Sequence, residues 1–338
     1  MPKTQAARKI LLSVSGVVLL IVCCFSSKAS GAEKMTSLYS AQTVSYSLPW
    51  IAQEAGLFRK YNLDFDLVYI PSSGIATAAL LGGDVDTAFA GGVGFVRGFV
   101  QGATDLVFIG SSKNILTHSI LAGSEIKRPE DLKGKKIGVT RLGGNSHYFS
   151  VHALRRLGFD TLRDVTFVQV GGEPEILAAL VRGSIDAGSV TSPTDAVAIS
   201  QGFHYVIFGP DQKIPYAAAS IATRRSVIAR RPEVVAQYMR AVAEAAKILH
   251  TDREFASKVL RKHLQISDKI LNAVYDTEVK VMERRLDIKP DEIQAILDEV
   301  AKVDPRAKKV KPQDLIDRRF LDEMEKSGFF ARLWTEKQ

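Results

Sequence analysis

From Met35 onward, short apolar runs of strand length take turns with stretches whose apolar residues recur at helical spacing, and the connections between them are short. That alternation predicts an α/β chain with largely parallel sheets. In the first half the pattern predicts strands near residues 36–40, 63–70, 85–89 and 106–111, with helices over 49–61, 75–81 and 93–101. The second half repeats the grammar with strands at 136–140, 165–170, 185–190 and 204–208 and helices over 146–157, 174–181 and 193–201. Two more apolar strands, His118 to Ala122 and Ala218 to Thr223, bracket the second half and are assigned to crossings between two lobes. After Arg231-Pro232-Glu233 the pattern turns helical, with amphipathic stretches over 234–250, 254–263, 268–279 and 291–303 expected to pack back on the first lobe.

The two halves also share letters. Ala79-Leu80-Leu81-Gly82-Gly83-Asp84-Val85-Asp86 is echoed by Ala179-Leu180-Val181-Arg182-Gly183-Ser184-Ile185-Asp186, and Gln101-Gly102 by Gln201-Gly202. Val107-Phe108-Ile109-Gly110 returns as Val206-Ile207-Phe208-Gly209 with a one-residue slip. A duplicated βαβ unit explains all three, and two such lobes facing each other leave a cleft. Asp86 and Asp186 read as strand-entry residues rather than ligand contacts.

Candidate chemistry sits where strands run into helices. Six junctions do so through Gly, Ser or Thr: Ser45-Tyr46-Ser47, Ser72-Ser73-Gly74, Gly91-Gly92, Gly143-Gly144-Asn145-Ser146, Gly171-Gly172 and Thr191-Ser192-Pro193. The first backbone N–H groups of a helix have no intrahelical partner, so such junctions offer donors and partial positive charge to a ligand. Open α/β sheets bind ligands at these strand ends. Any one junction is more readily read as ordinary capping; six spread over two matched lobes favour a shared pocket. Tyr46 and Trp50, with Tyr148 and Phe149, offer stacking faces or core packing. Arg141 and His147 bracket a Gly-Gly pair and could supply charge or hydrogen bonds, or serve as a surface arginine and a capping histidine. Glu173 is a candidate carboxylate for an amino or hydroxyl group, or a favourable first-turn acid.

Other chemistries fail on spacing. Gly92-Val93-Gly94 with Gly98 puts the third glycine one place late for a dinucleotide fingerprint, and no acid ends the next strand. His147 and His152 are five apart, on different helix faces, so no metal pair is expected. Ser146 lies in no Gly-x-Ser-x-Gly elbow. The reading is of a non-catalytic chain without metal or cofactor.

The first 32 residues are a separate object. Lys3, Arg8 and Lys9 precede a mainly apolar run from Ile10 to Phe25 and a small-residue stretch ending Ser30-Gly31-Ala32, which describes an export signal cleaved near Ala32. Sixteen apolar-rich positions are short for a membrane span, which needs about 20; an uncleaved anchor is the alternative. Cys23 and Cys24 are the two cysteines of the 338-residue chain, so the cleaved form has no thiol or disulfide. Cys23 follows Val22 and Cys24 follows Cys23, which argues against a lipoprotein cut. Cleavage also removes four of 45 basic residues and none of 37 acidic ones, taking the net charge from +8 to +4. The one basic cluster, Arg306 with Lys308, Lys309 and Lys311, has no interleaved aromatics, so no nucleic-acid partner is expected.

In this setting several phrases carry a family resemblance. They are Pro49-Trp50-Ile51-Ala52-Gln53-Glu54-Ala55-Gly56-Leu57-Phe58, the two glycine-then-acid phrases ending Asp86 and Asp186, Pro129-Glu130-Asp131-Leu132-Lys133-Gly134-Lys135-Lys136-Ile137-Gly138-Val139, Arg231-Pro232-Glu233 and Ser327-Gly328-Phe329. With the leader and the two lobes, the chain resembles the periplasmic substrate-binding proteins of ABC transporters, and more narrowly the SsuA/THI5-like, or NMT1-like, family. The resemblance implies a type II periplasmic-binding-protein fold, two α/β lobes joined by a two-strand hinge and closing on one small molecule. Lobe 1 would span 33–120 and 218–338, and lobe 2 residues 121–217. It implies an exported monomer that hands a small organic solute, anionic or aromatic, to a membrane permease, as family members do with sulfonates, nitrate or thiamine pyrimidines. An enzyme of thiamine- or menaquinone-precursor type on the same fold, and an exported sensor, are the competing readings.

Overall fold

Two five-stranded sheets organise the chain, each flanked by helices. The structure is a computed structural model that describes residues 31–335; both cysteines and all but the last two residues of the export-signal reading, 1–32, lie outside the described residues. The first sheet has strand order β2-β1-β3-β10-β4 and the second β7-β6-β8-β5-β9. Here β1 is Glu33–Tyr39, β2 Leu63–Tyr69, β3 Thr87–Ala90, β4 Leu106–Leu116 and β5 Ser119–Ala122. The remaining strands are β6 Lys136–Val139, β7 Thr166–Gln169, β8 Ala187–Val190, β9 His204–Ile207 and β10 Ile214–Arg224.

The duplication survives at the level of register. Ser37 of β1 pairs with Thr87 of β3 in parallel, and one hundred residues on Ile137 of β6 pairs with Ala187 of β8, also in parallel. The repeated acids fasten these pairs. Asp86 Oδ2 accepts from the Thr36 N–H at 3.1 Å and Asp186 Oδ2 from the Lys136 N–H at 2.7 Å. Each acid's own N–H returns a bond to the same residue's carbonyl. A strand-entry role for both is what these bonds describe.

Two expectations need correction. The sheets are mixed rather than largely parallel, because β10 runs antiparallel to β3 and β4 and β5 antiparallel to β8 and β9. The strands assigned to the crossings are these same inserted strands. Residues 119–122 lie inside the second sheet and 218–223 inside the first, and the crossings fall just beside them, at Thr117-His118 and at residues 208–213. A short apolar run reads alike whether it crosses between sheets or is buried within one, so the pattern could not separate the two. The long partners β4 and β10 pair along their length out to Leu116 opposite Ile214 and form the two-strand hinge.

Gly209 shows how tightly the crossings pass. A Cβ built there would lie 1.7 Å from the His118 carbonyl oxygen and 2.6 Å from that of Thr117. Its N–H is held by Ser119 Oγ at 2.9 Å. Backbone cannot yield as a side chain can, so Gly209→Ala is expected to destabilise the chain by about 2 kcal/mol through overpacking, read from the urea midpoint at unchanged slope.

The helices fall close to their predicted places. They are α1 (Leu48–Glu54), α2 (Leu57–Lys60), α3 (Ser73–Gly82), α4 (Gly92–Val100), α5 (Asn145–Arg156), α6 (Glu173–Val181) and α7 (Thr194–Ser200). The single helix predicted over 49–61 is split into α1 and α2 by Gly56, whose φ of 69° lies in the left-handed region. The C-terminal block supplies α8 (Arg225–Arg230), α9 (Pro232–Thr251), α10 (Arg253–Leu264), α11 (Asp268–Lys280), α12 (Pro290–Val300), α13 (Arg319–Lys326) and α14 (Phe329–Trp334). Helix α9 begins at Pro232, where a missing N–H costs nothing, and packs on α1 and α2, as expected of helices folding back on the first sheet. A separate apolar cluster of Leu121, Ile176, Leu180, Ile185 and Val190 fills the second sheet's side of α6.

Candidate ligand-binding site

The two sheets meet across a cavity of about 450 Å³ whose lining comes from the loops after β1, β2, β3, β6, β7 and β8. Each of the six predicted junctions sends at least one residue to it. From the first sheet come Ser45, Tyr46, Ser72, Ser73 and Gly91, and from the second Arg141, Gly144, Asn145, Gly172, Glu173 and Thr191. Ser72 holds a φ of 81°, an uncommon conformation for a residue with a Cβ, at the start of α3. A second hollow of similar volume, between α12 and the turns around Lys308 and Pro312, is lined by no strand-end loop. Within the basic cluster beside it, Arg306 is held by Asp304.

The other predicted site residues stand behind the lining. Ser47 is fully buried at the start of α1. Trp50 is a core residue, stacked on His263 at 5.0 Å and meeting Tyr39 edge-on at 5.2 Å. Gly74 leaves room for Arg141, whose guanidinium would sit 3.1 Å from a Cβ there, and Gly92 packs against Ala217 and Ile296. Ser146 Oγ accepts from the Thr140 N–H at 2.9 Å, and His147 Nδ1 from the Gly143 N–H at 3.0 Å. Ser192 donates to Asp195 at 2.8 Å. These seven build the loops that the lining residues occupy.

Across the cavity and beside it the two lobes already touch. Arg141 donates to Ser72 Oγ at 3.3 Å, Asn145 Nδ2 to the Ala218 carbonyl at 3.1 Å, and Tyr148 Oη to the Ala295 carbonyl at 3.1 Å. The missing side chain of Gly91 makes the Asn145 contact possible, since a Cβ there would lie 2.5 Å from Asn145 Oδ1.

Two buried polar groups that sequence reasoning missed define the floor. Lys113 of β4 and Glu278 of α11 form an ion pair at 2.7 Å, with both side chains almost wholly buried. The Lys113 ammonium also donates to Thr117 Oγ1 at 2.6 Å and Ser45 Oγ at 3.1 Å. His118, which follows β4, lines the cavity with its Nε2 3.9 Å from Glu173 Oε1. This is not an ion pair. Burial, aided by the nearby Lys113 charge, pushes His118 down to about 3, and burial pushes Glu173 up to about 8, so both are uncharged near pH 7. The Thr191 N–H and hydroxyl donate to the Glu173 carboxyl at 2.8 and 2.9 Å and oppose that rise without cancelling it. Asp195, below Glu173, is also raised by burial.

A signal for the floor was present in the sequence. Lys113-Asn114 interrupts an apolar strand, and Glu278 falls on the apolar stripe of its helix with Leu271, Val274 and Tyr275. A charge on a buried stripe needs a buried partner. Among the described residues no group of three His, Cys, Asp or Glu is placed to hold a metal ion, and no helix is long and apolar enough to cross a membrane.

With this geometry in hand, the comparisons give the class. The chain belongs to the NMT1/THI5-like family, whose profile matches residues 47–256. A protein of Brucella abortus (strain 2308), named as a binding protein, is 27% identical over 241 residues, 68% of this chain and 70% of that one. The alkanesulfonate-binding protein SsuA of Xanthomonas axonopodis pv. citri superposes with a TM-score of 0.70 at 20% identity, covering 86% of this chain and all of its own. The periplasmic nitrate-binding protein NrtA of Synechocystis PCC 6803 gives a TM-score of 0.74 at 14% identity over 90% of this chain and 92% of that one. A desulfurization enzyme, DszB, has the same fold at a TM-score of 0.66 and 15% identity, over 87% and 99% of the two chains. The fold is the periplasmic-binding-protein fold.

Proposed function

We propose that the chain is an exported, monomeric solute-binding protein that closes its two lobes on a small organic solute and delivers it to the membrane permease of an ABC transporter. The observation that carries this reading is the convergence of six strand-end loops, from both sheets, on one cavity that a two-strand hinge can open and shut. SsuA and NrtA, which share the fold, are by name a sulfonate binder and a nitrate binder of the periplasm. Lobe 1 comprises residues 33–117 and 214–335 and lobe 2 residues 119–207, the expected bounds at 120 and 218 moving so that β5 and β10 each stay whole in one sheet. The leader at 1–32 supplies the export, and no catalytic role is assigned to the cleft. DszB keeps an enzymatic reading in play, and steady turnover of a bound compound, abolished by one substitution in the lining, would replace capture with catalysis.

The test is a melting-temperature screen of the chain, recovered from the periplasmic fraction, against a broad solute library. A solute at 100 times its dissociation constant contributes roughly 2.7 kcal/mol, and its addition should also compact the chain in solution scattering. No stabilisation by any solute would remove the reading. Co-purification with a permease, rather than with a membrane kinase, separates delivery from sensing.

A further inference from the structure

The charges around the cavity restrict what a captured solute can carry. A lysine ammonium has three donors and no acceptor. In Lys113 all three are taken, by Glu278, Thr117 and Ser45, and the charge itself is cancelled by Glu278. The other cation of the lining is Arg141, and with Glu173 protonated the acid that balances it is Glu175 of α6. No positive charge is left in excess, so an anion enclosed here would lose its hydration without a matching cation. On the opposite side of the balance, Glu173 and His118 face each other at 3.9 Å, too far for a direct hydrogen bond and near enough for a group between them to reach both.

We infer, on the reading of the cleft as a solute site, that the captured solute is a neutral or cationic nitrogen compound whose N–H group, as in an amide, amidine or amine, donates to Glu173 beside His118, and that sulfonates, nitrate and carboxylates are rejected. The titratable and charged groups around Glu173 are His118, Asp195, Glu278, Tyr46 and Tyr69, with Lys113 next to His118 and Arg141 and Glu175 on the same lining. Burial keeps Glu173 protonated near neutrality. A cation docking on it therefore drives one proton to solvent, whereas a neutral amide leaves the proton in place and an anion would only raise the carboxyl further.

One ring with four head groups tests this: benzamide, benzamidine, benzoate and benzenesulfonate, each added to the exported chain and to Glu173→Gln. Benzamide and benzamidine are expected to raise the melting temperature and the two anions to leave it unchanged. Benzamidine binding should release a proton at pH 7, seen as a calorimetric heat that changes with the buffer, and should weaken about tenfold in Glu173→Gln as a charge-assisted bond is lost. A cooperative melt of Glu173→Gln that matches the parent's at pH 4, where neither side chain is charged, shows that the variant is folded. Stronger stabilisation by benzoate or benzenesulfonate, dependent on Arg141 or Lys113, overturns the inferred class and leaves solute capture standing. If none of the four acts, native mass spectrometry of the protein from the periplasmic fraction decides. A bound N–H compound without negative charge supports the inference, a bound anion overturns it, and an empty protein overturns capture itself.

Discussion

Replacing Lys113 by methionine is expected to cost the fold about 4 kcal/mol, because it leaves the Glu278 carboxylate buried beside two hydroxyls and no cation. The loss should appear as a lower urea midpoint at unchanged slope. Glu278→Gln should cost a similar amount, since it strands the ammonium instead. The double variant Lys113→Met/Glu278→Gln is expected to recover most of the stability, because a neutral amide can still bond Ser45 and Thr117 with no charge left to bury. If the single Lys113→Met variant melted within about 1 kcal/mol of the parent, the floor would be wet rather than sealed, and the pair would be an ordinary surface contact.

A second large effect is expected at Glu173, and its sign depends on pH. Burial lifts the folded carboxyl to about 8 from the ordinary 4.5, so between these the folded chain holds a proton that the unfolded chain has released. Stability from this residue is fully present below about pH 4.5 and is lost as pH rises toward 8. Glu173→Gln, which keeps an acceptor for both Thr191 donors, should match the parent at pH 4 and exceed it by about 4 kcal/mol at pH 8. Melting curves of the two proteins across that range check it. Parallel curves would show that the carboxyl is ionised in the fold, and the charge balance of the cleft would then be one unit more negative.

The scaffold was legible because its elements announce themselves by period. Strands of four to seven apolar residues and helices with glycine stops recur at fixed spacing, and Asp86 with Asp186 marked the same strand entry twice. The inserted strands were misplaced because β5 and β10 are buried on both faces and carry no alternation to show which sheet holds them. At the site, the junction loops were found through local turn chemistry, and all six reach the cavity. Which residue of each loop faces inward is decided by tertiary packing. Trp50 and Ser47 turn to the core, while Ser45 and Tyr46, next to them in the chain, line the cleft. Lys113 and Glu278 lie 165 positions apart and no local pattern joins them. Each was conspicuous alone as a charge on an apolar face, and only the fold brings the two together.

Strand β10 has a consequence for how the chain must be assembled. It sits between β3 and β4, pairing Ser220 with Ala90 and Ser111, so the first sheet cannot close until the whole of the second has been made. A chain released before residue 214 would carry every strand of the second sheet and two unpaired edges in the first, a template for aggregation. Contacts of such long separation in sequence also form slowly. The last strand to arrive is thus the one that completes the first lobe, and a chain handed across a membrane from its N-terminus would stay open to holding factors until that strand has followed.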